Sequence, residues 1–290
     1  MANNKMLVNE RQRDIGNFLV GRLLPFRKKR QVGPFTFIDH TGPFEVEKEK
    51  TVNVNQHPHI GLSTLTYLLS GKIEHRDSTG AAQIVSAGDV GFMTSGKGVT
   101  HTERTPMELL KEKETIMHGY QVWVALPKEK EEMEPRFDFI PKSELPTWNE
   151  NGLTMTLVAG EGYGKKSPLP VHSPLFMLDV QSGEEATQLE VRGQVEGEIA
   201  FVVTHGGVLD GEDCVKAGQM LISKTEDECR ISLEPNTRLL MFGGQPFAEE
   251  RYLYWNFVSS SKERLEQAKE DWKNKRFPKV PGDETYIPLP

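Results

Sequence analysis

Short runs of β-branched, aromatic and other apolar residues, each closed by a turn signal, recur along most of the chain. Examples are residues 63–69 before Gly71, residues 90–93 after an Ala-Gly turn, and residues 120–126 before Pro127. Strand-length runs with turns every ~8–12 residues are typical of a sandwich or a barrel. The chain is therefore predicted to be all-β, and its 290 residues suffice for about two domains.

The second half of the chain repeats a pattern of the first half. Residues 67–71 match residues 202–206, and residues 87–90 match residues 217–220. In each copy a strand ends at a glycine, and an Ala-Gly turn then leads into another strand. Chance similarity between two β domains is the alternative, but the order of the matches predicts two copies of one β unit.

A single helix is predicted near the C-terminus. Ser260 and Glu263 have the spacing of a capping box, and Pro278 ends the segment. The residues that share its apolar face are Leu265, Ala268 and Trp272. Loop-forming residues between 135 and 150 divide the chain into a first domain, residues 1–140, and a second domain, residues 141–290, which carries the helix and a tail.

Composition excludes several classes of protein. The formal net charge is −7, which argues against direct binding to nucleic acid. No apolar stretch approaches the ~20 residues of a membrane span, and the first eight residues lack the apolar core of a signal peptide. With only Cys214 and Cys229 there is no disulfide framework, so we expect a reducing cytoplasm. The basic residues 27–30 are interpreted as a solvated loop, with an import or anion-binding patch as the alternative.

Histidines cluster in the first half of the chain, where six of the eight lie between residues 40 and 118. Two pairs of ligand-type residues, His57 with His59 and His101 with Glu103, each have a spacing of two. Residues i and i+2 of a strand point to the same face of the sheet. If the two strands are neighbours, all four side chains converge on one point.

Three imidazoles and one carboxylate suit a divalent transition metal such as Fe, Mn, Ni, Cu or Zn. Such a set leaves coordination positions open for water, substrate or dioxygen, which is typical of a catalytic site. The alternative is that these are polar surface residues of a β protein. Two such pairs within 50 residues favour the metal site.

Several segments of the chain resemble the signature motifs of the pirin family, within the cupin superfamily. They are HPHIGLSTLTYLLSG at 57–71, EHRDS at 74–78, GDVGFMTSGKGVTHTE at 88–103, HGYQVWVALP at 118–127 and GPFTFIDHTGP at 33–43. The similarity is specific over residues 33–127 and looser toward the C-terminal helix.

The resemblance implies a bicupin of two antiparallel jelly-roll β-barrels. In pirins the N-terminal barrel holds one metal, taken as Fe(II), with Mn, Ni, Co, Cu or Zn as alternatives here. On this sequence the implied ligands are His57, His59, His101 and Glu103. The second barrel is expected to be metal-free, because the positions counted as equivalent are Arg192, Gln194, Ile231 and Leu233.

Some pirins are described as quercetin 2,3-dioxygenases and others as iron-dependent nuclear cofactors of transcription. The first description implies an oxidoreductase that opens small aromatic, flavonol-like substrates with O2, with Glu103 as the base. The alternative is a non-enzymatic iron-binding redox sensor or transcriptional cofactor that acts through a protein partner. Another metal-cupin reaction, such as an isomerisation, is a third hypothesis.

The remaining histidines and cysteines receive structural interpretations. His75, which precedes Asp77 by two, is interpreted as turn-forming, with a role behind the metal ligands as the alternative. His40 and His118 are expected to be structural. The residues expected at the surface or without a special role are His172, His205, Cys214 and Cys229.

Overall fold

The computed structural model describes residues 5–15, 18–48, 50–111, 115–210, 213–224 and 230–290, so Cys229 lies outside the described residues. The strands, in chain order, are β1 (Met6–Asn9), β2 (Arg11–Asp14), β3 (Leu19–Leu24), β4 (Phe35–Glu45), β5 (Asn53–His59), β6 (Leu62–Ser70), β7 (Lys72–Asp77), β8 (Ala82–Ser86), β9 (Val90–Thr94), β10 (Val99–Arg104), β11 (Ile116–Ala125), β12 (Arg136–Ile140), β13 (Thr147–Glu150), β14 (Leu153–Gly162), β15 (Lys165–Lys166), β16 (Leu175–Ser182), β17 (Thr187–Glu190), β18 (Glu198–His205), β19 (Gly207–Asp210), β20 (Asp213–Lys216), β21 (Gln219–Lys224), β22 (Arg230–Leu233), β23 (Arg238–Gly244), β24 (Tyr252–Tyr254) and β25 (Phe257–Ser259). The helices are α1 (Lys262–Lys273) and the 3₁₀ turns Leu109–Lys111, Lys128–Lys130 and Lys142–Glu144.

The predicted all-β class with one C-terminal helix is confirmed. The paired strands run antiparallel, as the resemblance to pirins implied, and they form open sheets rather than one continuously hydrogen-bonded barrel in the described part of the chain. None of the helices in the described ranges has the length and apolar character needed to cross a membrane.

Residues of the chain group into two compact units. The N-terminal unit comprises Gln12–Val20, Phe37–Lys142 and Ala248–Pro290. The C-terminal unit comprises the residues up to Arg11, Gly21–Thr36 and Ser143–Phe247. The grouping differs from a division at residues 140/141 at both ends of the chain, because β1 pairs with β21 and α1 packs on residues of the N-terminal unit.

Within the N-terminal unit, one sheet has the strand order β12-β9-β6-β11-β4 and the other the order β5-β10-β7-β8. Apolar side chains from both sheets form a common core, as strand alternation directs one face of each sheet inward. The core residues of this cluster are Val52, Leu68, Ile73, Leu109 and Met117. The second sheet, β5-β10-β7-β8, carries the histidine pairs of interest.

The C-terminal unit repeats this arrangement with other side chains. One sheet has the order β1-β21-β18-β23-β16-β14-β13, with β15 on β14, and the other has the order β17-β22-β19-β20. An aliphatic and aromatic core lies between them, with Leu157, Phe176, Phe201 and Met241 fully buried.

The predicted internal repeat is confirmed by equivalent hydrogen bonds in the two units. Gly88 N–H donates to the Leu68 carbonyl at 2.9 Å, and Gly218 N–H donates to the Val203 carbonyl at 3.1 Å. Leu68 and Val203 are the same position of the repeat. Gly88 and Gly218 have φ of +85° and +79°, a left-handed conformation that favours glycine, so the Ala-Gly turns are required in both copies.

Helix α1 begins one residue later than the sequence predicted. The N-cap is Ser261, whose Oγ accepts from Arg264 N–H at 3.2 Å. Ser260 is not the cap, because its Oγ–H and its N–H both donate to the Glu131 carboxylate, at 3.1 Å and 2.8 Å. The predicted apolar face of Leu265, Ala268 and Trp272 is confirmed as buried, and it packs against Ile60 and Phe257.

Candidate metal centre

Two antiparallel neighbours, β5 and β10, carry the histidines of the candidate site. His101 lies directly opposite His57, and Val99 lies opposite His59. The spacing of two between His57 and His59 puts both on the same face of β5, as predicted. All three imidazoles are buried.

The three imidazoles converge. One potential ligand atom from each of His57, His59 and His101 lies within 4.8 Å of the others. Their ring centroids are 4.3 Å apart for His57 and His101, 5.0 Å for His59 and His101, and 5.1 Å for His57 and His59. Side chains from two strands therefore bring three ring nitrogens that can bind a metal into one small volume.

Hydrogen bonds account for some of the ring nitrogens and leave others without partners. His57 Nδ1 bonds the Asn55 carbonyl at 2.8 Å, and the backbone of Asn256 hydrogen-bonds the His59 ring. His59 Nδ1 and His101 Nε2 are buried with no hydrogen-bond partner in the described part of the chain. An unsatisfied buried polar atom is costly, and a metal ion in contact with these lone pairs removes that cost.

Electrostatics of the cluster also fit a metal. Burial lowers the pKa of His57 to about 4. Burial, with the neighbouring imidazoles, lowers the pKa of His59 and of His101 well below the ordinary value. All three rings are therefore neutral near pH 7, which is the form that ligates a metal.

Glu103 lies outside the group of converging ligand atoms in the described structure. It is half-buried on β10, and burial raises its pKa to about 7. The pairing of β10 with β5 shifts register between His101 and Glu103, so Glu103 lies opposite Val54. The extra residue lies on β5, between Val54 and His57, whereas β10 pairs with β7 without a shift, so His101 and Glu103 stay on the same face of β10.

His75 lies behind the cluster, on the neighbouring strand β7. Its Nδ1 is 3.4 Å from His101 Nδ1, and its Nε2 is 2.9 Å from Asp77 Oδ2. The sequence interpretation favoured a turn role and kept this contact as the alternative. His75 and Asp77 are two residues apart, as are the residues of each ligand pair. This spacing was the sequence signal for a role behind the metal ligands.

An aromatic pair borders the site on the other sheet. The Trp123 ring lies edge-on to His59 at 5.1 Å, and Phe37 stacks on Trp123 at 3.8 Å. Both side chains are buried. Their apolar surfaces exclude water on that side of His59.

The other predicted residues lie elsewhere. His40 Nε2 and His118 Nε2 are 2.8 Å apart, and His40 stacks on Tyr120, which fits a structural role. His205 is exposed, as expected for a surface residue, whereas His172 is half-buried. Lys29 of the basic run pairs with Glu198.

The equivalent strands of the C-terminal unit have aliphatic side chains at the matching positions. Ile231 on β22 lies opposite Leu189 on β17, and Ile231 and Leu233 belong to the apolar core. Arg192 and Gln194, counted as equivalents of the first histidine pair, lie beyond the end of β17 because the loops of the two copies differ in length.

Comparison with known proteins agrees with this architecture. The pirin family profile matches residues 17–124, and that of the pirin C-terminal cupin domain matches residues 177–278. The chain is 43% identical to a pirin-like protein from Caulobacter vibrioides, over 98% of this chain and 99% of the relative.

Two solved structures show the same fold. A quercetin 2,3-dioxygenase from Acinetobacter baumannii superimposes with a TM-score of 0.90 at 33% identity, covering 99% of this chain and 95% of that one. The bacterial pirin YhhW from Escherichia coli, in complex with nickel(II), superimposes with a TM-score of 0.62 at 20% identity, covering 84% of this chain and 100% of that one. The two matched cupin domains, together with the similarity along the whole chain, show that this protein belongs to the pirin family.

Proposed function

We propose that this pirin is a metal-dependent dioxygenase of the quercetin 2,3-dioxygenase type, which opens a flavonol-like substrate with O2. The observation that carries the proposal is the convergence of three buried, neutral imidazoles, His57, His59 and His101, of which His59 Nδ1 and His101 Nε2 have no hydrogen-bond partner in the described part of the chain. We propose Fe(II) as the ion they hold, with Mn, Ni, Co, Cu or Zn as alternatives. Glu103 is the proposed fourth ligand and base.

The choice of reaction is supported by the 33% identical relative from Acinetobacter baumannii, which is named as a quercetin 2,3-dioxygenase and aligns with 99% of this chain. The aromatic neighbours of His59 support it as well. A site bordered by Trp123 and Phe37 is suited to a planar aromatic substrate, since apolar walls favour burial of its rings.

A bound transition metal would supply Lewis acidity toward a substrate oxygen and redox chemistry toward dioxygen. The neutral histidines would hold the ion without taking up protons. Glu103 accepts the proton of the enolic hydroxyl, which leaves the substrate as an enolate. Its pKa of about 7 suits a general base near neutral pH, where it is half ionised in the ion-free protein. A neighbouring cation favours the ionised form further.

Oxygen uptake with quercetin tests this function. The protein is first analysed for bound metal by mass spectrometry, and uptake is then measured in aerobic buffer. We expect uptake in proportion to metal content, and loss of both metal and uptake in His101→Ala. His205→Ala is the matched control, because His205 is an exposed histidine outside the site.

Two results contradict the proposal in different ways. One metal per chain without oxygen uptake refutes the dioxygenase and favours the iron-binding sensor that acts through a protein partner. Full uptake by His101→Ala refutes the assignment of the site.

A further inference from the structure

Each imidazole of the proposed metal centre has one hydrogen-bonding neighbour outside the cluster. For His57 and His59 that neighbour is a backbone group, of Asn55 and Asn256 respectively. For His101 it is another imidazole, His75. A backbone carbonyl can only accept, whereas an imidazole can donate or accept. The proton position on His101 therefore depends on what holds His75.

Asp77 determines the proton position on His75. The Asp77 side chain is fully buried, and its Oδ1 accepts hydrogen bonds from Thr79 N–H at 2.8 Å and Thr79 Oγ–H at 2.6 Å. The N–H of Ala81 also donates to Oδ1, at 3.3 Å, so this oxygen faces donors only. The other oxygen, Oδ2, is left to accept from His75 Nε2 at 2.9 Å.

The rest of the chain of hydrogen bonds follows from this donor. With the His75 ring proton on Nε2, toward Asp77, the facing Nδ1 offers a lone pair and accepts. The group that faces it is His101 Nδ1, at 3.4 Å, which then carries the proton. His101 Nε2 is left with its lone pair, and it is this atom that has no hydrogen-bond partner in the described structure.

Packing holds the His75 ring in the orientation that this requires. The Phe137 ring, on β12, stacks on His75 with centroids 4.2 Å apart and planes 15° apart. Pairing of β10 with β7 places His101 opposite Asp77. The ring of His75 is therefore fixed on its face by Phe137 and at its edge by Asp77.

We propose that His75 and Asp77 form a positioning dyad that holds His101 as the Nδ1–H tautomer and so presents its Nε2 lone pair to the metal. The proposal rests on the proposed metal site but not on the dioxygenase reaction. Groups that orient a metal-ligating histidine change metal affinity by about 10- to 100-fold when they are replaced. We expect losses of that size here.

The test uses the full chain with two variants and one control. His75→Phe keeps a ring against Phe137 and removes both nitrogens, and Asp77→Asn keeps the shape and removes the charge. His205→Phe makes the same exchange at an exposed histidine. Ring-nitrogen NMR of ¹⁵N-histidine-labelled, metal-free protein reads the His101 tautomer, and anaerobic chelator competition measures affinity for Co(II).

We expect the Nδ1–H form of His101 in the unmodified protein and its loss in His75→Phe. We also expect Co(II) affinity to fall about 10- to 100-fold in both variants and to stay unchanged in His205→Phe. The proposal is overturned if His101 carries its proton on Nε2 in the unmodified protein, or if folded His75→Phe binds Co(II) as tightly. If His75→Phe does not fold, Asp77→Asn decides by the same readouts.

Failure of the proposed function gives a different result. If the unmodified protein binds none of Fe(II), Mn(II), Co(II), Ni(II), Cu(II) and Zn(II), the metal centre itself is refuted, and the tautomer measured in metal-free protein decides the dyad alone. If metal binds but no oxygen is consumed, the reaction is refuted and the affinity test of the dyad is unaffected.

Discussion

Glu131 is a buried carboxylate that anchors the segment leading into α1. It accepts hydrogen bonds from Ser259 Oγ at 2.9 Å and from Ser260 N–H at 2.8 Å, and Arg251 Nε lies 3.1 Å away. Glu131 is 5% exposed and Arg251 4% exposed. The segment matters to the candidate metal centre because Asn256, whose backbone hydrogen-bonds the His59 ring, lies within it.

Replacing Glu131 by Gln tests this anchor. The amide has nearly the shape of the carboxylate, but the buried guanidinium of Arg251 loses its buried partner and keeps the half-exposed carboxylate of Glu249, 3.6 Å away. The NH2 group of the new glutamine would also face groups that themselves donate, which are Ser259 Oγ–H, Ser260 N–H and Arg251 Nε–H. Breaking a buried ion pair from one side costs about 3–5 kcal/mol. The same exchange at Glu132, which is 59% exposed and pairs with Arg264 at 2.7 Å, costs about 0–1 kcal/mol.

Thermal unfolding followed by tryptophan fluorescence measures the difference. Three of the four tryptophans, at positions 123, 255 and 272, belong to the same unit as Glu131, so the signal reports mainly on that unit. We expect Glu131→Gln to lower the melting temperature by about 6–20 °C. A shift no larger than that of Glu132→Gln would refute the reasoning that the buried charge pair anchors this segment.

Substitutions at three further sites, with Gly80→Ala as a control for one of them, have defined outcomes. Glu103→Gln is expected to retain bound metal, measured by mass spectrometry, but to reduce oxygen uptake with quercetin by about 100-fold or more, because the base is lost. Gly61→Ala is expected to prevent stable folding, judged by circular dichroism, since its Cβ would lie 2.0 Å from the Val258 carbonyl oxygen. Gly80→Ala is the control. Gly80 has φ +96° but no atom near its added Cβ, so this substitution costs only the backbone strain of a left-handed residue, about 1–2 kcal/mol. Trp272→Ala is expected to lower the free energy of unfolding in urea by about 3–5 kcal/mol, because it empties a buried site beneath α1.

Each of these predictions has a result that contradicts it. Uptake by Glu103→Gln equal to that of the unmodified protein removes Glu103 from the reaction. Equal stability of Gly61→Ala and Gly80→Ala shows that the close approach at Gly61 is not limiting. A loss below about 1 kcal/mol in Trp272→Ala shows that the helix adds little to the unit.

The face on which His57 and His59 lie could be predicted because strand alternation is a local property. The pairing of those residues with His101 was a hypothesis from spacing, and the structure brings the three imidazoles together. The place of Glu103 could not be predicted in the same way. A bulge between β5 and β10 shifts its register, and nothing in the residue types of either strand signals that shift.

The partners of the ligands were less accessible to sequence reasoning than the ligands. The contact between His101 and His75 needs the register of β10 against β7. The bond from Asn256 to His59 uses a backbone group, which every residue has, so no residue type marks it. The helix cap was misplaced by one residue for a related reason, since Ser260 and Ser261 are chemically equal and only Glu131 distinguishes them.

The sequence by itself determined the strand-rich class, the twofold repeat and the residue types of the candidate metal centre, because periodicity, turn residues and ligand chemistry are all local. Tertiary structure alone decided which histidine ring nitrogens lack a hydrogen-bond partner among the described residues, and that Asp77 lies behind His75. It also decided that residues 248–290 complete the unit that carries the histidines. Those properties depend on contacts between residues distant in sequence, and their energies come from burial and hydrogen bonding that exist only once the sheets have packed.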